Sequence, residues 1–295
     1  ILGPTAVGKT DLAIKLAKKF NGEIISADSR QIYKGMTIGT AKPKRETGDR
    51  RQETSRYVVS GIPHHLIDII YPDENFNVAV YKKRALKVIR DIQKRGKLPF
   101  LVGGTGLYIQ AIVDNIIFPK VPSRKRMRKE LEAKTEKELF KIYKKLDPEG
   151  AKFIEKENKR RLIRAIEVCK VTKKSFWKQR KRGEPLFNTL QIGIKLPEKE
   201  LKKRISKRVE KMFKLGLEKE AKNLIKKYKG AYSLQTIGYQ EWSDYFEDKI
   251  DKNKVKENIK LHTLQFARRQ MAWFKRDKGI YWIKNYREAE KLIKK

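Results

Sequence analysis

The chain has 295 residues, 39% of them hydrophobic, which is enough for one large core or two smaller ones, and two unequal domains are expected. Its 73 Lys and Arg against 35 Asp and Glu give a formal charge of +38, far beyond what solubility needs, so the expected partner is a polyanion, nucleic acid first. One cysteine, Cys169, and three histidines, His64, His65 and His262, exclude a disulfide and a zinc site of the common kind, and no apolar run approaches the length of a membrane span; a reducing, cytoplasmic setting is expected.

A Lys-rich surface also accompanies heat adaptation, but that trait adds Glu together with Lys, and here the acids lag. No charged-then-apolar leader is expected before the first strand, although a chain starting at Ile1 can lack a few residues, and neither a repeat nor a low-complexity tract stands out beyond the lysine bias.

Ile1 and Leu2 read as the end of a buried strand, and residues 11–17 continue with helical spacing. Between them, Gly3-Pro4-Thr5-Ala6-Val7-Gly8-Lys9-Thr10 has the spacing of a phosphate-binding loop. Glycines let backbone N–H groups converge on phosphate oxygens, Lys9 adds a charge, the helix N-terminus adds its dipole, and Thr10 can hold a magnesium ion. A glycine turn with a chance Lys-Thr is the alternative.

Residues 23–28 read as a second buried strand ending in Asp28, on the sheet edge where ligands bind in open parallel sheets. Asp28 is therefore expected to face the phosphate site, the alternative being a helix cap or turn former. Residues 33–43, rich in Gly and Thr, suggest a loop over the site, and residues 45–56 a polar, mobile stretch. Residues 64–69 suggest a strand whose adjacent histidines point to opposite sides, against a shared metal. Asn77 is expected to cap a helix from Val78 to about Arg95.

Residues 98–102 predict a third buried strand, followed by Gly103-Gly104-Thr105-Gly106 and a helix from about Leu107. Many ATP-hydrolysing proteins with such loops end this strand in an Asp that orders magnesium; here a backbone-exposing Gly-Gly-Thr stands instead, either a second phosphate cradle or a plain turn.

From Pro119 the composition changes. Residues 123–134 predict a basic helix, Thr135 with Glu138 a capping box for another, Asp147-Pro148-Glu149 the start of a third, and Asn158 to about Val171 a fourth, carrying Arg160, Arg161 and Arg164. Residues 173–182 are basic with Phe176 and Trp177 interleaved, which suits either unstacked bases or a packed amphipathic element. Residues 189–196 alternate like a strand returning to the sheet, and a helix from Pro197-Glu198 to about Leu215 has Leu201, Ile205, Val209 and Met212 on one face. Arg204 and Arg208, four residues apart, share a face where they could reach one phosphate together, though spacing alone favours a solvated charge stripe. Residues 235–240 form a bend, residues 254–275 a long helix, and residues 281–283 a last strand.

The fold class expected is α/β, a P-loop NTPase-like parallel sheet flanked by helices over residues 1–115 and 189–295, with a mainly helical insertion at 116–188.

Taken together, Gly3 to Thr10, Asp28-Ser29-Arg30-Gln31 through Pro43, His64-His65-Leu66-Ile67-Asp68, Gly103-Gly104-Thr105-Gly106, Arg160 to Val168, Ile237-Gly238-Tyr239 and Arg269-Gln270 with Trp273 resemble the bacterial tRNA dimethylallyltransferase family, nearly end to end. Its eukaryotic relatives carry a zinc finger, for which this chain lacks cysteines. The resemblance implies transfer of a dimethylallyl group from dimethylallyl diphosphate to the N6 amine of the adenosine 3′ of the anticodon in tRNA, by a cytoplasmic monomer. It implies Asp28 as general base and Thr105 and Arg208 on the leaving diphosphate, so that Arg208 moves from surface to site on family grounds. Diphosphate binding falls to Gly3, Thr5, Ala6, Val7, Gly8, Lys9 and Thr10, with Mg2+ as cofactor at Thr10.

The tRNA contacts it implies are Asp28, Ser29, Arg30, Gln31, Thr105, Arg128, Arg160, Arg161, Leu162, Ile163, Arg164, Gln235, Thr236, Ile237, Gly238, Tyr239, Gln240, Arg268, Arg269, Gln270, Trp273 and Lys275, with the insertion embracing the anticodon arm. A P-loop kinase leaves the +38 charge and the basic insertion unexplained, as does a prenyl transferase acting on free adenine nucleotides; a basic RNA-binding protein makes Lys9, Thr10, Asp28 and Thr105 coincidental.

Overall fold

The computed structural model describes residues 1–46, 57–119, 121–122, 124–179 and 181–294. Most of the stretch expected to be polar and mobile, residues 47–56, lies outside them. The chain divides into two compact units, Ile1–Ile109 with Asn188–Lys295, and Gln110–Phe187.

The first unit opens with α1 (Lys9–Lys19), β1 (Gly22–Ala27), β2 (Tyr57–Val59), β3 (Ile62–His65), α2 (Val78–Lys94), β4 (Leu98–Gly103) and α3 (Gly106–Val113). The four strands lie in the order β2-β3-β1-β4, with β1 parallel to β3 and β4 and only β2 antiparallel to its neighbour. The strand expected at Ile1–Leu2 is a minimal one. Leu2 bridges in parallel to Gly103 of β4 on one side and Gly193 on the other, with Leu2 N–H donating to Ile192 O at 2.9 Å.

Because β4 intervenes between Leu2 and β1, the chain skips a position in crossing from one to the other, and the crevice this leaves lies at the strands' carboxyl ends. Gly3 is obligatory here: its φ is 143°, and a Cβ would lie 2.4 Å from Ile194 O.

The strand expected at residues 64–69 is corrected to Ile62–His65, because Leu66 and Asp68 take positive φ (61° and 53°) and break the extended run. Its hairpin partner β2 was not foreseen, although Ser60-Gly61 is a turn dipeptide and both residues have positive φ. His64 is buried, with Nδ1 2.9 Å from Ile62 O and Nε2 without a partner among the described residues; burial lowers its pKa and keeps the imidazole neutral. His65 instead turns to Glu23 at 2.8 Å. Glu23, 1% exposed at the start of β1, is clasped by Arg95, Lys97 and His65, which hold its carboxyl far below the ordinary range.

The second unit contains β5 (Ile116–Ile117), α4 (Lys125–Glu132), α5 (Glu136–Leu146), α6 (Pro148–Ala151), α7 (Lys159–Thr172) and β6 (Lys181–Arg182), which pairs antiparallel with β5. It begins at Gln110, inside α3. The Thr135–Glu138 capping box forms as expected. The helix expected at Asp147-Pro148-Glu149 is a single turn, and Asp147 serves more as a staple. Only 2% exposed, it accepts hydrogen bonds from Tyr143 OH, Gly150 N, Ser175 OH and Trp177 N at 2.8–3.0 Å. Phe176 packs against the core of this unit and Trp177 stacks on Phe153 at 4.6 Å, so packing is the reading these aromatics realise.

The chain then returns to the first unit through β7 (Gln191–Ile194), α8 (Glu198–Lys214), α9 (Leu217–Lys227), α10 (Ser243–Phe246), α11 (Lys252–Phe274), β8 (Ile280–Ile283) and α12 (Tyr286–Lys294). β7 and β8 pair in parallel and continue the sheet beyond Leu2. On α8, Leu201, Ile205, Val209 and Met212 are all buried, each contributing about 1.5–3 kcal/mol of transfer free energy, and Arg208 and Arg204 flank this buried stripe, reaching Thr5 and Val7 O of the first glycine loop. No helix of the described residues is long and apolar enough to cross a membrane.

Candidate active site

The loop from Gly3 to Gly8 turns through left-handed backbone at Ala6 (φ 65°) and Gly8 (φ 94°), and Gly8 is the N-cap of α1 with no side-chain cap. The first N–H groups of α1 are thus left for an anion. Lys9 Nζ donates to Pro4 O at 2.6 Å, folding the ammonium back across the loop. Burial brings its pKa down to about 8; attraction to Asp28 opposes this and repulsion from Arg208 adds to it.

Arg208 does not lie in a solvated stripe. Its Nη1 donates to Thr5 Oγ1 at 3.0 Å and its Nη2 to Thr40 O at 3.4 Å, and burial lowers its pKa while Asp28 opposes the shift. Arg204 is shared between Glu200 (2.9 Å) and Val7 O (3.4 Å).

Across the crevice β1 ends at Ala27, and Asp28 Oδ1 accepts from Arg30 N (2.8 Å) and Gln31 N (3.3 Å). The turn-forming role and the site-facing role therefore coexist. One oxygen shapes the turn, and the carboxylate acts electrostatically on Lys9, Arg208, Tyr81 and Tyr108. Thr105 Oγ1 accepts from Ser29 N at 3.0 Å, and Thr105 N donates to Ala27 O at 3.1 Å, tying the second glycine loop to the Asp28 turn. A β-carbon at Gly103 would lie 2.2 Å from Ala27 O, so the strand end that carries an acid in many ATP-hydrolysing proteins has no room for a side chain here. The site thus offers two glycine loops, a depressed lysine, a half-buried arginine and a carboxylate, an arrangement suited to a phosphorylated leaving group beside a proton acceptor.

The sequence model for the family described as IPP transferase matches residues 31–277. The chain is 41% identical to the tRNA dimethylallyltransferase of Pelotomaculum thermopropionicum, with 99% of this chain and 92% of the relative aligned, and 42% identical to that of Caldicellulosiruptor saccharolyticus, over 100% and 95%. The chain belongs to the IPP transferase family. The crystal structure of the full-length tRNA isopentenylpyrophosphate transferase of Bacillus halodurans superposes with a TM-score of 0.68 at 36% identity, covering 99% of this chain and 92% of that one. A eukaryotic dimethylallyltransferase, solved acting on tRNA, gives 0.77 at 28% identity over 96% and 72%.

In this IPP transferase several residues assigned to RNA by resemblance have other demands on them. Leu162 and Ile163 are buried (0% and 5% exposed) in the core of the second unit and cannot present side chains to RNA. Arg128 and Arg164 both clasp the buried Glu167, at 2.8 and 2.6 Å, and Arg161 sits 3.7 Å from Glu155. Tyr239 is fully buried, its hydroxyl donating to Glu220 at 2.7 Å, and Gly238 is buried beside it. Gln31 reaches Ser26 and Thr40 O. Arg268 pairs with Glu198 at 2.6 Å, Arg269 lies over the Phe266 ring, and Arg30 lies over the Tyr232 ring. Gln235, Gln240, Arg268, Arg269 and Lys275 are exposed, with Ser29, Arg30, Thr236 and Ile237 partly so. Trp273 lies against Gly106, its buried Nε1 unpartnered among the described residues.

Sequence reasoning missed three contributors. Tyr81 of α2 stacks on Tyr108 at 3.9 Å and donates to Ser26 O at 3.1 Å, and this buried pair fastens the end of β1 that leads to Asp28. Glu220 accepts the N–H groups of Thr37, Ile38 and Gly39 at 2.9–3.2 Å and so presents Thr40 O to Arg208. Lys42, its ammonium buried, ties Tyr33 O to Asp68 and pins the same loop. Helical spacing marks Tyr81 as a buried position; neither of the other two carries a local signal.

Proposed function

We propose that this chain transfers a dimethylallyl group from dimethylallyl diphosphate to the N6 amine of the adenosine immediately 3′ of the anticodon in tRNA. The observation that carries the reading is the convergence of Lys9 and Arg208 on a crevice whose other wall is Asp28. The names of the relatives supply the donor and the acceptor class.

The donor diphosphate lies over the N-terminus of α1, within reach of Lys9, Arg208 and the loops around Gly8 and Thr105. Among the described residues no cluster of three His, Cys, Asp or Glu side chains could hold a metal alone. A magnesium ion would be held by the Thr10 hydroxyl together with phosphate oxygens of the donor, where it would add countercharge to the leaving group.

The exocyclic amine of adenine is a poor nucleophile and too weakly acidic for prior deprotonation by a carboxylate. Its proton becomes acidic as nitrogen attacks the allylic carbon: the C–N bond forms, the C–O bond to diphosphate breaks, and Asp28 accepts the proton, worth about 10²–10⁴-fold. Lys9, Arg208 and backbone N–H groups neutralise the departing charge. The buried Tyr81–Tyr108 stack, with Tyr81 bonded to Ser26 O, holds in place the end of β1 that leads to Asp28.

The adenosine must leave its stack to reach Asp28. The basic second unit, with Arg160 and Arg161, grips the anticodon arm, and Arg30, Gln235, Gln240, Arg268, Arg269 and Lys275 extend the RNA surface on the first unit. The reading takes as the working form a monomer acting in the cytoplasm on its tRNA. The test is transfer of a labelled prenyl group from dimethylallyl diphosphate to an anticodon stem-loop. Phosphorylation of a small metabolite by ATP, with the RNA left unmodified, would overturn the reading.

A further inference from the structure

Gln270 is the one buried polar residue of α11, 7% exposed on a helix whose neighbouring Arg268 and Arg269 are exposed. Its side-chain amide is used at both ends. Oε1 accepts from the backbone N–H of Thr5 at 2.8 Å, and Nε2 donates to Gly104 O at 2.8 Å. A single amide therefore spans the two glycine loops that face the crevice. The fit is tight from the other side as well: a β-carbon on Gly104 would lie 2.3 Å from Gln270 Nε2, so only glycine leaves room for the clasp.

Each bonded atom is one step from a group the reaction uses. Thr5, held by its N–H, turns its Oγ1 to accept from Arg208 Nη1 at 3.0 Å, and Gly104 precedes Thr105, whose Oγ1 accepts from Ser29 N beside Asp28. The amide that would otherwise be a spare donor in the first loop is consumed by Gln270, so Thr5 serves the site through its hydroxyl.

We infer that Gln270 is a positioning residue for the diphosphate cradle, acting through Thr5 and Gly104, and not a contact to RNA. This rests on the reading of the two loops as a diphosphate site. An apolar side chain of similar length at 270 leaves the Thr5 N–H and the Gly104 carbonyl unpaired in a buried setting, and the loops then relax away from the geometry that sets Arg208 and Thr105.

The test measures binding of magnesium pyrophosphate and of dimethylallyl diphosphate by calorimetry, and binding of an anticodon stem-loop by fluorescence anisotropy, for the full chain and Gln270→Met. The expected result is a Kd for both diphosphates raised about tenfold, the lower end of the range for residues that hold a ligand's contacts in place, with an unchanged Kd for the stem-loop. Equal diphosphate affinity with only a lowered melting temperature, or a loss confined to the stem-loop, overturns the inference. Failure of the unsubstituted chain to bind pyrophosphate refutes the diphosphate site itself, a separate result.

Gln270→Glu supplies a second arm. Its protonated carboxyl can make both bonds, whereas the ionised form faces Gly104 O with no proton to give, so the donor KM of this variant should climb with pH where that of the parent is level below pH 7. A KM for Gln270→Glu that follows the parent at every pH overturns the clasp. Gly104→Ala combined with Gln270→Met should cost little more than either alone, because both break the same link.

Discussion

Lys9 offers a quantitative test of the phosphate cradle. Its ammonium is desolvated near Arg208, and its pKa falls to about 8. Displacing a lysine this far from its ordinary value corresponds to about 3 kcal/mol held against the charged form. A diphosphate in the loop removes that penalty by supplying the countercharge, so binding must raise the Lys9 pKa and take up a proton wherever the empty site is partly deprotonated. At pH 8.5 the empty site is about one-quarter charged and binding should take up about three-quarters of a proton; at pH 7 the uptake shrinks to about a tenth.

The sign for stability runs the other way. Because the folded pKa lies below the unfolded one, the unliganded protein gains stability as pH rises from about 8 toward 10.5, while donor affinity falls about tenfold per pH unit over the same window. Calorimetric titration of dimethylallyl diphosphate at pH 8.5 in two buffers of different ionisation enthalpy reads the proton uptake directly. Lys9→Met should abolish both the uptake and the pH dependence of Kd. Zero uptake at pH 8.5 together with a Kd that is level from pH 7 to 9.5 would refute the placement of Lys9 at the diphosphate.

Asp28→Asn keeps an acceptor for Arg30 N–H and Gln31 N–H, so the turn should survive and the stem-loop should bind with unchanged Kd, while single-turnover transfer slows about 10²–10⁴-fold. Transfer at the parent rate would remove Asp28 from the base role. Glu23→Gln removes a buried carboxylate held by Arg95, Lys97 and His65, and because the cations left behind are partly solvated, urea unfolding should show a loss of about 1–3 kcal/mol. In the parent, the stabilisation from Glu23 is present above its unfolded pKa of 4.5 and is lost as pH falls through its depressed folded value; a stability that does not change below pH 4.5 would contradict this. Gly3→Ala must take a φ of 143° and meet Ile194 O, and should lower the melting temperature by several degrees; an unchanged melting point would show that the strand end can shift at no cost. Stem-loop binding by the parent should weaken steeply between 50 and 200 mM salt, a fall of about 10³ or more if six or more phosphates are neutralised, as filter binding can measure.

Local signals carried much of the fold in this chain. The Gly3–Thr10 spacing, the Thr135–Glu138 capping box, Asn77 before α2 and the four buried positions of α8 all act within a few residues of themselves, and they are read directly because capping, glycine conformation and helical periodicity are short-range effects. The end of β1 at Ala27, directly before Asp28, was likewise legible in the buried apolar run that precedes it. What the sequence could not decide is which charged and polar groups spend themselves on one another. Arg208 and Arg128 look alike as basic residues on amphipathic helices. Tertiary packing sends the first to Thr5 and Thr40 and the second to the buried Glu167. The clasp of Gln270 on Thr5 and Gly104 joins positions 265 and 166 residues apart, and the bond from Glu220 to Gly39 spans 181. No local propensity encodes such pairings. They follow from the desolvation of polar groups that chain crossing brings together, each of which must find a partner once water is excluded.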